Sequence, residues 1–170
     1  TEAAYAYLKA MEISGTRAEI AMAASILGDN YYALGKTTEA LKYYKISLEG
    51  AIEGGMMNEQ ITYSTEIGDI CTEVGKYPEA LEYYNSALKA AVDVKDDKLL
   101  ADIHHGIGNL YRLLGDYRAS LQNYKLAETE YKSVGNQVDL AALYTNSGKV
   151  YTALKKYNLA MKNFASAKEL

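Results

Sequence analysis

Apolar residues recur along this chain at steps of three and four, the spacing that gathers them on one side of an α-helix. Leu100, Ile103, Ile107, Leu110 and Leu114 form one such stripe. After Gly115 the pattern resumes with Leu121, Tyr124 and Tyr131, predicting a second helix. The join, Gly-Asp-Tyr, is short enough to lay the two antiparallel.

This two-helix pattern repeats every 40 residues. Gly28, Gly68, Gly108 and Gly148 share one register, in the middle of the first helix of each pair. An interior glycine costs a helix about 1 kcal/mol against alanine, so the column implies that a partner helix packs against bare backbone there. The small column Ala40, Ala80, Ser120 and Ala160 is the expected counter-surface. Gly35, Gly75 and Gly115 stand just past the first helix, where the chain must turn with positive φ, and Lys155 breaks their run. Further columns hold Leu41, Leu81, Leu121 and Met161; Tyr44, Tyr84, Tyr124 and Phe164; and Ser47, Ala87, Ala127 and Ala167. Thr16 with Glu19 predicts a capping box, and Asp96 and Asn136 occupy equivalent cap positions that Met56 does not fill. Pro78 falls in the first turn of its helix, where a missing N–H costs nothing.

Composition narrows the function. Of 170 residues 24% are charged, and the net charge of -4 comes with no basic stripe, which argues against a nucleic-acid partner. No apolar run approaches the ~18 to 20 residues of a membrane span, and the start, TEAAYAYLKAMEIS, lacks the marks of a signal peptide. The chain begins in mid-pattern without Met and reads as an excerpt of a longer protein. A single cysteine, Cys71, excludes an internal disulfide framework and fits a cytoplasmic location. Cys71 reads as a packing residue. His104 and His105 are adjacent and point about 100° apart, unlike an i, i+4 metal pair. Gly106 to Gly108 lacks the preceding strand and third glycine of a dinucleotide fingerprint. No catalytic constellation, metal site or cofactor is expected, so the chain does not read as an enzyme.

The interior glycine, a tyrosine three residues on (Tyr31, Tyr111, Tyr151), the turn glycine, and a following Tyr-x-Glu-Ala-Leu-x-Tyr-Tyr resemble the tetratricopeptide repeat (TPR). The best copy is Ile67 to Ala91. The 40-residue period is similar to the long-helix arrays of LGN/Pins-type adaptors and of prokaryotic regulatory proteins. The tryptophan of the family's first helix is absent; Ala24, Ser64, His104 and Tyr144 stand at its position. The resemblance implies an all-α fold, a right-handed TPR superhelix (α-solenoid) of antiparallel helix pairs in a single array, residues 1–170. Repeats are expected over 17–55, 57–95, 97–135 and 137–170. Residues 1–14 would be the second helix of a preceding repeat, since Tyr7, Leu8 and Met11 share the phase of Ser47, Leu48 and Ala51.

By the same resemblance, the first helices line a concave groove that binds an extended peptide or a partner helix of another protein. The positions carried over are Ser25, Asp29 and Tyr32; Thr65, Asp69, Thr72 and Glu73; His105, Asn109 and Arg112; and Thr145, Lys149 and Thr152. Their charge runs from acidic (Asp29, Asp69, Glu73) to basic (His105, Arg112, Lys149), which suits a ligand whose basic residues lie near the first two repeats. His105, Asn109 and Asn146 also stand at three positions resembling a carboxylate clamp, with His in place of Lys. The alternative function is a structural scaffold that self-associates through its uncapped terminal helices.

Overall fold

The computed structural model describes residues 2–170, apart from the side chains of Ala3, Glu12 and Ser14; Thr1, at the head of the expected leading helix, lies outside the described residues. Nine α-helices and no strand occur among them: α1 (Glu2–Ser14), α2 (Arg17–Ala33), α3 (Thr37–Glu53), α4 (Met57–Glu73), α5 (Tyr77–Val94), α6 (Asp97–Leu114), α7 (Tyr117–Ser133), α8 (Gln137–Ala153) and α9 (Tyr157–Glu169). The fold class is all-α, built of TPR-like helix pairs. The chain divides into two compact units, residues 1–90 and 91–170, with the boundary inside α5.

Helix starts follow the local chemistry. The Thr16 hydroxyl accepts from the Glu19 N–H and the Glu19 carboxylate accepts from the Thr16 N–H, closing a capping box. Asp96 accepts from the Lys98 and Leu99 N–H groups, and Asn136 from Asp139. Met56 offers no side-chain cap. At the turns, Gly115 adopts φ 80°, a left-handed conformation that glycine enters without penalty. Lys155 adopts φ 57° at the equivalent turn and Lys95 φ 56° after α5, both without that freedom.

In unit 1, Leu8, Ala23, Ala24, Leu27 and Tyr43 form a buried cluster, and Tyr43 stacks on Tyr31 at 5.3 Å. In unit 2, Tyr124, Ala127, Tyr131, Leu140, Leu143 and Val150 do the same. Of the α6 stripe, Ile103, Ile107 and Leu110 are buried while Leu114, at the helix end, is exposed.

The interior glycines meet a different surface from the one their column suggests. A Cβ on Gly68 would lie 2.7 Å from the Tyr84 ring, and one on Gly28 would lie 3.1 Å from Tyr44. Gly108 faces Tyr124, and Gly148 faces Phe164 at 2.5 Å. The counter-surface is therefore the aromatic column. A flat ring fills the notch left by a missing side chain, and burying such a ring removes far more apolar area from water than a methyl group does. The small column has a subsidiary part: the Ser120 hydroxyl donates to the Gly108 carbonyl at 2.8 Å.

Candidate functional site

In three of the four notches, the residue after the glycine meets the tip of the ring that fills the notch. Tyr44 donates to Asp29 at 2.5 Å, Tyr84 to Asp69 at 2.6 Å, and Tyr124 to Asn109 at 2.7 Å. The fourth pair is Phe164 and Lys149, which can make no such bond. Lys149 instead donates to Asn146 Oδ1 at 3.1 Å. Three of the expected groove residues thus also bolt their own helix pair together.

In unit 1, Tyr32 of α2 and Glu73 of α4 are exposed and joined by a 2.5 Å hydrogen bond from the phenol to the carboxylate. Partial burial, then the hydrogen bond to Glu73 and its charge, raise the Tyr32 phenol well above its ordinary 10.0. Asp29 is exposed beside them in sequence register, so this face is acidic. Ser25 is half-buried and donates to the Met22 carbonyl. Thr65 and Thr72 are buried and donate to the Ile61 and Gly68 carbonyls of their own helix. Neither presents an exposed group.

Unit 2 joins His105, Asn109 and Lys149 into one network through Asn146. Asn146 Nδ2 donates to His105 Nε2 at 3.0 Å and to Asn109 Oδ1 at 3.1 Å. This requires the proton of neutral His105 to sit on Nδ1, which faces the Tyr131 hydroxyl at 3.4 Å; that hydroxyl in turn donates to Asp102 at 2.8 Å. Burial depresses the His105 pKa, outweighing the upward pull of Asp139 and Asp102, and Arg112 adds to the depression. The imidazole meets the Tyr124 and Tyr131 rings edge-on. Arg112 is half-buried, and its Nε is buried with no hydrogen-bond partner among the described residues. Thr145 and Thr152 donate to the Ala141 and Gly148 carbonyls. Tyr131 joins this network although it stands in a second helix. Its only advance sign was its place at the end of the α7 apolar pattern.

The isolated candidates have packing roles. Cys71 is fully buried, and burial raises its thiol pKa, away from reactivity. His104 Nδ1 pairs with Glu130 at 2.8 Å. Among the described residues no group of three His, Cys, Asp or Glu is placed to hold a metal ion, and no helix is long and apolar enough to cross a membrane.

Comparison with known proteins bears on the fold. The apo form of RapI superposes with a TM-score of 0.86 at 18% identity, over 98% of this chain and 61% of its own. A Rap protein complexed with competence and sporulation factor gives 0.85 at 19% identity, over 94% and 44%. BtubC (BKLC) from P. vanneervenii gives 0.77 at 20% identity, over 90% and 63%. The chain thus spans less than two thirds of the length of each of these solved chains. No curated protein sequence matches it. Two family models, both described as tetratricopeptide repeat, match residues 59–133 and 141–170. The helix pairs, their glycine notches and these matches agree: the chain carries tetratricopeptide repeats.

Proposed function

We propose that this chain is a non-catalytic protein-interaction module, in which the polar face of α6 and α8 holds an extended segment or helix of another protein. The repeat units would run over 17–55, 57–95, 97–135 and 137–170, as part of a larger cytoplasmic adaptor or regulatory protein. One observation carries the reading: Arg112 Nε is buried without a partner among the described residues. A buried donor left open costs about 1 to 3 kcal/mol, and a ligand carbonyl or carboxylate would return that. The Lys149 ammonium of α8, bonded to Asn146 through one hydrogen, supplies further donors. The acidic face of unit 1, with Asp29, Tyr32 and Glu73, would by its charge take basic residues. That a Rap protein of the same fold is found complexed with competence and sporulation factor supports a binding role.

The test is selection from a displayed peptide library, followed by titration of the enriched peptides against the intact chain and an Arg112→Gln, Lys149→Ala variant. The variant should lose about tenfold in affinity, the yield of one charge-assisted hydrogen bond. Equal affinity for both proteins would remove α6 and α8 as the binding face. A second reading, self-association, draws on the exposed Leu159, Met161 and Phe164 of α9. It requires that light scattering show mass rising with concentration, and that Phe164→Ser abolish the rise.

A further inference from the structure

Positions 24, 64, 104 and 144 hold Ala, Ser, His and Tyr, and what surrounds them differs accordingly. In unit 2, Tyr144 of α8 lays its ring under Lys132, 5.8 Å from the ammonium, and donates its hydroxyl to Glu128 at 3.0 Å. His104 of α6 pairs with Glu130 across to α7. In unit 1, Ala24 is fully buried, and α2 and α3 close tightly: a Cβ on Gly50 would meet the Arg17 carbonyl at 2.9 Å.

Ser64 is different. It stands eighty residues before Tyr144, while Leu48 and Ile52 stand eighty before Glu128 and Lys132. With a serine where the aromatic ring would be, a crevice of about 390 Å³ remains in unit 1. Its walls are Leu48 and Ile52 of α3 with Tyr83 and Ala87 of α5, and it also reaches Glu79 and Glu82. That volume lies within the ~300 to 1,000 Å³ of small-molecule pockets.

Two observations point to a ligand. Ser64 lines the crevice, is only 4% exposed, and its hydroxyl has no hydrogen bond among the described residues. The buried hydroxyls of Ser47, Thr65, Thr72 and Ser120 each donate to a backbone carbonyl, while that of Ser147 in unit 2, like that of Ser64, has no hydrogen bond among the described residues. The Ser64 oxygen is open to the crevice rather than sealed from it, so a polar group from outside can reach it. The second observation is charge. Glu79 is engaged by Lys45 at 2.8 Å and Lys76 at 3.7 Å, whereas Glu82 is exposed with no cation against it among the described residues. No Lys or Arg lines the crevice.

We propose that this crevice binds a small phenolic amine. The aromatic ring lies between Leu48 and Ala87, its hydroxyl pairs with Ser64, and its ammonium meets Glu82. The ring takes the space that Tyr144 fills from within in unit 2. It enters from the opposite side, so its polar tip reaches the serine rather than the α3 side chains. The site shares no residue with the α6 and α8 face, so each stands or falls alone.

The probe is tyramine, titrated into the protein and followed by amide chemical shifts, with phenethylamine (no hydroxyl) and 4-ethylphenol (no ammonium) as comparators. Binding on the order of millimolar is expected, with shifts centred on Ser64, Glu82 and Ala87. Each comparator should bind about fivefold more weakly, the worth of one modest polar contact. Ser64→Ala should weaken tyramine by a similar factor. Ser64→Tyr should abolish binding while leaving a cooperative unfolding transition. Glu82→Lys, on the surface and harmless to packing, should cost about tenfold. Absence of shifts at these residues up to about 10 mM tyramine, or unchanged affinity in Glu82→Lys, overturns the proposal.

Discussion

Adding one methyl group to each notch glycine in turn should give four different outcomes, because the four rings are held differently. In every case Gly→Ala gains about 1 kcal/mol of helix propensity. Against it stands the collision with the ring. At Gly68 the new Cβ would lie 2.7 to 3.0 Å from three atoms of Tyr84, which is fully buried and held by its hydrogen bond to Asp69. Overpacking of this kind costs about 1 to 3 kcal/mol, and releasing the ring forfeits a further 1.5 to 3 or so for a bond to a charged acceptor. Gly68→Ala should therefore destabilise by about 2 to 3 kcal/mol once these partly overlapping costs are set against the gain. Gly108→Ala should be comparable: Tyr124 is buried and the new Cβ would come closer still to its ring, although the bond to Asn109 has a neutral acceptor. At Gly28 the contact is a milder 3.1 Å, and the outcome should fall within about 1 kcal/mol of zero. Gly148 also meets its ring closely, at 2.5 Å, but Phe164 is 41% exposed and has no hydroxyl to hold it. That ring can swing aside, so Gly148→Ala should be neutral or stabilise by up to about 1 kcal/mol. Urea unfolding of the four variants, read by far-ultraviolet circular dichroism, supplies the ranking. If Gly148→Ala is as damaging as Gly108→Ala, the pinning of the rings is not what makes the glycines necessary.

Three further outcomes are expected. Lys155→Gly removes a left-handed lysine at a turn; it should raise stability by about 0.5 to 1 kcal/mol, the relief of αL strain less the entropy of the freer unfolded chain, seen as a higher urea midpoint. His105 is held neutral by burial, so its folded pKa lies below the ordinary 6.5 and the unfolded chain takes up a proton first. Stability should fall as pH drops below about 6.5 and keep falling until His105 itself is protonated, and His105→Gln should flatten urea midpoints measured between pH 7.5 and 5.5. Burial pulls the Glu128 pKa upward, but hydrogen bonds from Lys132, Lys125 and Tyr144 outweigh it and bring it to about 2. Its contribution is present above the ordinary 4.5 and lost as pH falls toward 2. Both lysines are exposed, so screening trims the loss in Glu128→Gln at neutral pH to about 1 kcal/mol, measurable as a lower urea midpoint.

The helix pairs were legible because a period of 40 repeats the same physical demands, and a demand repeated in register stands out even where single propensities are weak. Columns reveal which positions face a neighbour but not which neighbour. That is why the small column was expected opposite the glycines when the rings of Tyr44, Tyr84, Tyr124 and Phe164 fill them. Thr65 and Thr72 passed for surface residues because they are polar, yet a threonine that satisfies its own hydroxyl four residues back along the helix can be buried without penalty. The His105, Asn109 and Asn146 cluster was visible one residue at a time. Its closure depends on Tyr131, in a helix whose sequence signals only packing. The crevice at Ser64 had a sign in the sequence, the variable size of the column Ala24, Ser64, His104 and Tyr144, but volume left unfilled can be judged only when the neighbouring helices are in place.

The bolt between a notch ring and the residue after its glycine also limits how the molecule can change over generations. While Tyr124 offers a phenol, position 109 does well only with an acceptor, so a substitution there that suited a new ligand would be charged against the helix pair's own stability. Phe164 with Lys149 shows the way out: this pair lacks the tyrosine and acceptor of the others, and the lysine answers to Asn146 and the surface rather than to a ring. Innovation in recognition should arise first in whichever repeat lacks the hydroxyl, with the others held by epistasis between residues fifteen places apart.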